Sequence, residues 1–315
     1  MKFRALAVAA IFGALAAPAF AQETIKMAVG QRGNWDTSPA EIGQQAGIFK
    51  KHGINLEIVY TQGSGETQQA VIAGSANIGV AVGTTGLMTA FSKGAPVRPI
   101  SNSTTGADDL FWYVPANSPI KTPKDGAGKT ISYSTTGSST HIAVLAFIKH
   151  FGVDFKPTAV GGPPASFAQT MSGQVDIGWS SAPFGLADLK AGRIRMLMRE
   201  SEVPAFQNQT VRMNVSNLQF ITEKGPLLAK FIAAYKETID FMYSDPKALE
   251  IWSKWTNVPL DIATGMRDEF FPKKNLELTR VSGLDEAMAD AVSMKFLTAP
   301  LTKAQLDDML KYYAK

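Results

Sequence analysis

The sequence predicts an α/β protein with two similar lobes, and three observations carry this prediction. Short apolar runs alternate with helical patterns, which is typical of parallel βαβ units. The order of strand, loop and helix starts again near residue 129. The segment Ala73–Gly79 resembles Ser172–Gly178, and in both a helix ends at Gly before Asn or Asp precedes an apolar strand. A duplicated α/β unit explains all three observations.

The first lobe contains predicted strands over 24–29, 55–60 and 78–82. Its first helix begins at Ser38-Pro39, a capping residue followed by Pro at the first helical position, and ends at Gly53. A second helix covers 66–73, and a third follows the Gly83-Thr84-Thr85 turn. Each strand therefore leads into a loop and a helix.

The second lobe repeats this order, with predicted strands over 129–133, 158–160 and 176–179. A helix covers 141–151 and ends at Gly152, and another runs from the Pro163-Pro164 loop to Gly173. The later part of the chain is helical, over 227–243, 246–255, 285–296 and 302–313.

Two extended runs connect the lobes, Leu110–Val114 and Thr210–Val215. We therefore assign residues 24–113 and 215–315 to a discontinuous first lobe and residues 114–214 to the second lobe. Two crossings of this kind form a hinge, and ligands bind in clefts between domains at the carboxyl ends of strands. The prediction is a ligand cleft between the lobes.

Residues 1–21 have the pattern of an export signal. Lys2 and Arg4 precede an uncharged apolar run, and Ala19-Phe20-Ala21 is a small-x-small cleavage site. The alternative is a membrane anchor, but the run is shorter than the roughly 20 residues that span a bilayer. We expect cleavage after Ala21 and a periplasmic location.

Composition excludes several classes of function. The 315 residues are 45% hydrophobic and 18% charged, which supports a large packed core. Without Lys2 and Arg4, 29 basic and 27 acidic residues remain, so bulk charge gives no reason to expect nucleic-acid binding. Cys is absent and the three His residues are scattered, so no thiolate, disulfide, metal or other cofactor is expected.

Loops at predicted strand ends supply the candidate ligand-binding residues. The loop 134–140 holds six hydroxyl groups directly before a helix, and residues 126–153 contain no Asp or Glu that would repel an anion. Hydroxyls and backbone N–H groups at a helix N-terminus can bind an anion, although a simple capped turn has the same pattern. The candidates in this and the matching loops are Gly63, Ser64, Gly65, Thr84, Thr85, Thr136, Gly137, Ser138 and Ser139.

Four further candidates add aromatic and cationic contacts. Trp35, Trp179 and Phe184 follow predicted strands, where they either contact ligand or pack inside a lobe. Arg32 lies in the same loop as Trp35, and its planar guanidinium could bind a carboxylate or sulfonate, unless it is simply solvated. Enzyme signatures are missing: the chain has no P-loop and no G-x-S-x-G elbow, and His141 has no evident partner.

The order of motifs resembles the substrate-binding proteins of ATP-binding cassette (ABC) importers for nitrate, sulfonates, taurine and thiamine precursors. The resemblance covers nearly all of residues 24–315. The motifs that carry it are Glu41–Gly53, Gly63–Gly65, Ala73–Gly79, Leu110–Val114, Ser118–Tyr133, Gly173–Pro183 and the helix beginning at Pro246.

The resemblance implies a type II periplasmic-binding-protein fold, with two hinge crossings and a cleft between the lobes. It also implies delivery of a small solute to an ABC permease in the inner membrane. The ligand class does not follow from the resemblance; an anionic organic solute is expected from loop 134–140, and we expect a monomer. A secreted enzyme or a solute sensor on the same fold is the alternative. Many members carry Gly-x-x-His where this chain has Gly137-Ser138-Ser139-Thr140-His141, and a related enzyme of pyrimidine synthesis needs Cys, which is absent here.

Overall fold

The computed structural model describes residues 22–106 and 108–314. The proposed export signal, with its cleavage after Ala21, lies outside these residues. In chain order the strands are β1 Glu23–Gly30, β2 Ile54–Thr61, β3 Ile78–Gly83, β4 Val97–Thr105, β5 Leu110–Pro115, β6 Thr130–Tyr133, β7 Lys156–Ala159, β8 Gly178–Ser181, β9 Ile194–Arg199 and β10 Thr210–Asn217.

The helices surround these strands. In chain order they are α1 Pro39–Gln45, α2 Ile48–Lys51, α3 Ser64–Ile72, α4 Thr84–Ser92, α5 Ser139–Phe151, α6 Pro163–Met171, α7 Leu186–Lys190, α8 Leu218–Glu223, α9 Gly225–Ser244, α10 Pro246–Thr256, α11 Leu260–Phe270, α12 Leu284–Ser293 and α13 Lys303–Met309. No helix in the described ranges combines the length and the apolar character needed to span a membrane.

The first sheet has the strand order β2-β1-β3-β10-β4. β1 is parallel to β2 and β3, whereas β10 is antiparallel to β3 and β4. The second lobe holds a three-stranded sheet, β8-β5-β9, and a parallel pair, β6-β7. An isolated parallel bridge between Ile131 and Ile177 connects the two groups in the order β7-β6-β8-β5-β9. Position by position, β7-β6-β8-β5-β9 corresponds to β2-β1-β3-β10-β4 of the first sheet. The topology therefore supports the internal repeat.

β5 and β10 each pair within a single lobe, so the two crossings lie at different residues from those assigned from the sequence. β5 pairs only with β8 and β9, so residues 110–113 join the second lobe. β10 pairs only with β3 and β4, so residues 210–214 join the first. Each strand follows a crossing instead of forming it. We therefore propose that the hinge lies between β4 and β5 and between β9 and β10.

Capping residues explain where several helices begin and end. Pro39 begins α1 as expected, but the Ser38 side chain makes no capping hydrogen bond and donates to the Asn34 carbonyl oxygen instead. Gly47, at φ 78°, separates α1 from α2, where one continuous helix was predicted. Gly152, at φ 64°, ends α5 as predicted. The left-handed conformation at these two positions favours glycine, because it has no Cβ to clash with the backbone.

Each lobe has its own hydrophobic core. The first-lobe core packs β1 and β3 against α1, α2, α9 and α10, with Phe49 and Phe231 stacked at 5.9 Å. The second-lobe core surrounds Trp112, whose ring lies edge-on to Phe147 at 4.8 Å. Separate cores allow each lobe to move as a unit.

The close packing of α1 on α9 gives a test of the first-lobe core. A Cβ added at Gly43 would lie 2.3 Å from Thr238 Oγ1 and 2.6 Å from the Phe49 ring. We expect Gly43→Ala to lower the free energy of unfolding by about 1–3 kcal/mol through overpacking.

Gly265→Ala is the control, since the added Cβ meets open space. It should stabilise helix α11 by up to about 1 kcal/mol. Urea unfolding measures both; equal effects at the two positions would contradict the packing.

Candidate functional site

The lobes meet where three helices begin, at α3, α4 and α5. Glycines allow the backbones to touch: a Cβ at Gly65 would lie 2.6 Å from the carbonyl oxygen of Thr136, and one at Gly86 2.5 Å from that of Gly137. A Cβ at Gly63 would lie 2.6 Å from Ser134 Oγ. We call these three residues the glycine contact. No larger side chain fits between the lobes here, and we call this arrangement the closed form.

Hydrogen bonds join the lobes at the same place. The Gly65 N–H donates to Thr135 Oγ1 at 3.2 Å, and the Ser139 N–H donates to Ser64 Oγ at 3.4 Å. Asn34 Nδ2 donates to Ser181 Oγ at 3.1 Å, and this bond connects the loop after β1 with the end of β8. An opening of the cleft would have to break these contacts.

Two cavities lie between the lobes. The deep cavity, of about 30 Å³, is lined by Gly30, Gln31, Asn34, Asp36, Thr37, Ser64, Ala81, Leu110, Ser134, Ser139, Thr140, Trp179 and Arg212. The outer cavity, of about 400 Å³, is lined by Gln31, Arg32, Gly33, Tyr60, Thr61, Gln62, Gly162, Pro163, Pro164, Pro183, Phe184, Thr256 and Val258. Gln31 borders both cavities.

Arg212 of β10 is the centre of a buried charge network. Its Nη1 donates to Asp36 Oδ2 at 3.1 Å and to Asp109 Oδ2 at 3.0 Å. Its Nε donates to Ser139 Oγ of the second lobe at 3.1 Å. Thr104 Oγ1 and Ser181 Oγ also donate to the two carboxylates, each at 3.1 Å. Arg212 therefore connects the loop after β1, both crossings and the start of α5.

Burial makes two acids in this region hard to ionise. Burial is the main reason that the pKa of Asp36 is raised to about 6. The charge of Arg212 lowers this pKa, and the charge of Asp109 raises it. Burial raises the pKa of Glu200 to about 8, again against the attraction of Arg212. Both carboxyl groups therefore keep their protons to a higher pH than ordinary Asp and Glu side chains do.

The structure brings several of the predicted site residues to the cavities. Ser64, Ser139 and Trp179 line the deep cavity. Arg32 and Phe184 line the outer one, where the Arg32 guanidinium stacks 4.6 Å above the Trp255 ring. Thr84 and Thr85 line a third, smaller cavity of about 10 Å³, which Ser139 and Glu200 also border.

Other predicted site residues have different positions. Trp35 is buried in the first-lobe core, edge-on to Trp252 at 5.7 Å and donating to Tyr243, so it does not line the cleft. Thr136 is exposed. Gly63, Gly65 and Gly137 lie at the contact between the lobes, and no cavity described here is lined by them or by Ser138.

The hydroxyls of loop 134–140 already have partners in the closed form. Ser134, Ser138 and Thr140 hydrogen-bond one another at 2.9–3.0 Å, and Ser138 Oγ also accepts the His141 N–H at 3.2 Å. Here the loop caps α5. A role in anion binding remains a prediction.

The sequence reasoning did not select Asn34, Asp36, Asp109, Glu200 or Arg212. One signal was present: Arg212 interrupts the apolar part of a strand, between Val211 and Met213, where a charge needs a buried partner. The acids that supply the partners come from separate parts of the chain, and no local pattern connects them.

The raised pKa of Glu200 predicts a pH dependence of stability. Its folded pKa exceeds the unfolded value, so its contribution is complete at low pH and is lost as pH rises toward about 8. Between pH 6.5 and 8 we expect the free energy of unfolding to fall by up to about 1.4 kcal/mol per pH unit from this group alone.

Glu200→Gln should remove that slope, as measured by urea unfolding at several pH values. Glu250→Gln, at an exposed position on α10, is the matched control and should leave the slope unchanged. Parallel pH profiles for wild type and Glu200→Gln would show that Glu200 is already ionised in the folded protein.

Comparisons with known proteins identify the fold. The alkanesulfonate-binding protein SsuA from Xanthomonas axonopodis pv. citri, bound to MOPS, superposes with a TM-score of 0.72 at 17% identity, over 93% of this chain and 94% of its own. The periplasmic nitrate-binding protein NrtA from Synechocystis PCC 6803 gives 0.73 at 12% identity, over 93% and 86%. The desulfurization enzyme DszB gives 0.63 at 15% identity, over 92% and 99%.

These likenesses confirm the expected fold class, the two-lobed periplasmic-binding-protein fold. No curated protein matches the sequence. A family model described as NMT1/THI5 like matches residues 34–249, which is more than half of the chain. The resemblance stated from the motifs is confirmed, and the chain belongs to the NMT1/THI5-like family.

Proposed function

We propose that the protein binds a small organic solute between its lobes in the periplasm and delivers it to an ABC permease, working as a monomer. The observation that carries this proposal is the deep cavity: both lobes supply its walls, and a buried ion network forms part of them. A ligand that contacts both walls binds the closed form better than the open one.

Closure supplies the mechanism of capture. The chain crosses between the lobes twice, and hinge residues at such crossings absorb the rotation that opens a cleft. Opening separates the glycine contact and admits the solute, and closing buries it beside Arg212 and Trp179. The closed form then presents both lobes to a permease in one fixed arrangement.

The alternative of a secreted enzyme gains little from the geometry. His141, the one basic ring close to the cleft loops, stacks on Tyr133 at 4.2 Å and lies edge-on to Phe296. Its Nδ1 accepts the Gly137 N–H at 3.2 Å, and burial lowers its pKa. The ring is therefore held in place as a neutral packing element. The solute-sensor alternative shares the binding step and differs only in the partner.

The anionic solute class expected from loop 134–140 stays a prediction. The loop hydroxyls are occupied in the closed form, and Arg212 already binds two carboxylates. An anion would compete with Asp36 and Asp109 for that guanidinium. Arg32, at the mouth of the cleft, is the other cation that an anionic group could reach.

Blocking closure gives a test of the capture mechanism. Gly65→Leu places a side chain where the Thr136 carbonyl oxygen lies, so the lobes should fail to close and ligand binding should be lost. Gly225→Leu is the matched control, because a Cβ there meets open space. A thermal-melt screen against a library of small metabolites detects binders, since a ligand at a hundred times its Kd stabilises by about 2.7 kcal/mol.

We expect a hit that stabilises wild type and Gly225→Leu, leaves Gly65→Leu unchanged, and is recovered intact by mass spectrometry. Conversion of the hit into a product by wild-type protein would favour the enzyme alternative. A stabilising shift that survives in Gly65→Leu would place the ligand outside the closing cleft.

A further inference from the structure

The buried charges of the molecule collect around the deep cavity and do not balance. Within residues 22–106 and 108–314, the charged side chains that are more than nine-tenths buried are Asp36, Asp109, Glu200 and Arg212. Arg212 can compensate only one carboxylate, so negative charge is in excess beside the cavity when two of the three acids are ionised, in a place where water screens it poorly.

Two buried acceptor atoms in the cavity wall have no hydrogen-bond partner. Asp36 bonds Arg212 and Thr104 through Oδ2 only, which leaves Oδ1 free. Asn34 donates through Nδ2 to Gln31 and Ser181, and its Oδ1 is also without a partner. Their residues are 2% and 4% exposed and both line the deep cavity. A buried oxygen without a donor costs about 1–3 kcal/mol, more for a charged group.

We propose that the solute enters the deep cavity with an ammonium or amidinium group, which donates hydrogen bonds to Asp36 Oδ1 and Asn34 Oδ1. The proposal rests on the proposed function and names the solute class. A cation with N–H donors meets both requirements of the wall: it supplies the missing donors and compensates the excess negative charge.

The sizes of the cavities define the rest of the solute. A volume of about 30 Å³ admits the charged group alone. The outer cavity of about 400 Å³ borders it at Gln31 and is walled by Tyr60, Phe184 and prolines. An apolar or aromatic body attached to the cationic group fits that environment, with the body toward the mouth of the cleft.

An anion, a metal ion or a water molecule would fit the wall of the deep cavity less well than a cation with N–H donors. An anion would add a second negative charge and leave both acceptors without donors. No group of three or more potential metal ligands occurs among the residues that the structure describes, which argues against a metal ion. A water molecule supplies donors but leaves the charge uncompensated.

Three probes of matched shape test the proposal at pH 7.5 and constant ionic strength: benzylammonium, benzyl alcohol and benzenesulfonate. We expect benzylammonium to raise the melting temperature of the wild type saturably, with the other two giving much smaller shifts. Asp36→Asn should weaken benzylammonium binding ten- to a hundred-fold, as expected for a hydrogen bond to a charged group. Asp308→Asn, which removes an exposed carboxylate paired with Arg98, is the control and should change nothing.

Unfolding without probe separates binding from structural support. If Asp36 serves the ligand, Asp36→Asn should keep most of the unfolding free energy, because it relieves the excess charge. A variant that fails to fold would assign Asp36 to structure and overturn the proposal. A saturable shift with benzenesulfonate and none with benzylammonium would also overturn it, while leaving the binding function intact. A benzylammonium shift that Asp36→Asn retains would place the cation elsewhere and reject the assigned contacts.

Discussion

The contact of Arg212 with two carboxylates is the interaction on which the cleft depends. Its guanidinium holds Asp36 and Asp109 at 3.1 and 3.0 Å, and all three residues are almost completely buried. Replacing Arg212 by a neutral residue would cost about 3–5 kcal/mol, since it would leave buried carboxylates without compensation. The network lies where the chain crosses between the lobes, and Asp36 and Arg212 also line the deep cavity.

The glycine contact sets how far the lobes close. Gly63, Gly65 and Gly86 let the loops of the first lobe reach the backbone of loop 134–137, and any Cβ would hold them apart. Because Ser139 bonds both Ser64 and Arg212, the closing contact and the ion network meet at the start of α5. A solute in the deep cavity would therefore lie beside both the glycine contact and the ion network.

Much of the fold follows from local sequence patterns. The alternation of strands and helices, the Pro39 and Gly152 boundaries and the repeat at 73–79 and 172–178 each depend on a few neighbouring residues. The sequence did not reveal β4 or β9, whose polar and basic residues hide the strand pattern. It also misplaced the crossings, because an extended run looks the same whether it links two sheets or pairs within one.

The site was harder to predict, for a physical reason. Ser64, Ser139 and Trp179, which line the deep cavity, were predicted because loops at strand ends face a cleft. Asp36, Asp109 and Arg212 act as a group only after three distant segments come together, and Trp35 looked like a ligand contact although tertiary packing placed it in the core. Burial and pairing decide these roles, and neither is local in sequence.

We propose that the two lobes close around a ligand by rotating about the two crossings. The chain has no Cys, so Glu57→Cys in the first lobe and Lys156→Cys in the second give a pair of unique, exposed sites for spin labels. Pulsed electron spin resonance then measures the distance between the lobes with and without a saturating ligand. We expect a broad distance distribution without ligand, which becomes narrow and shifts to the closed distance when ligand is bound. A narrow distribution that ligand leaves unchanged would show a rigid pocket and contradict this proposal.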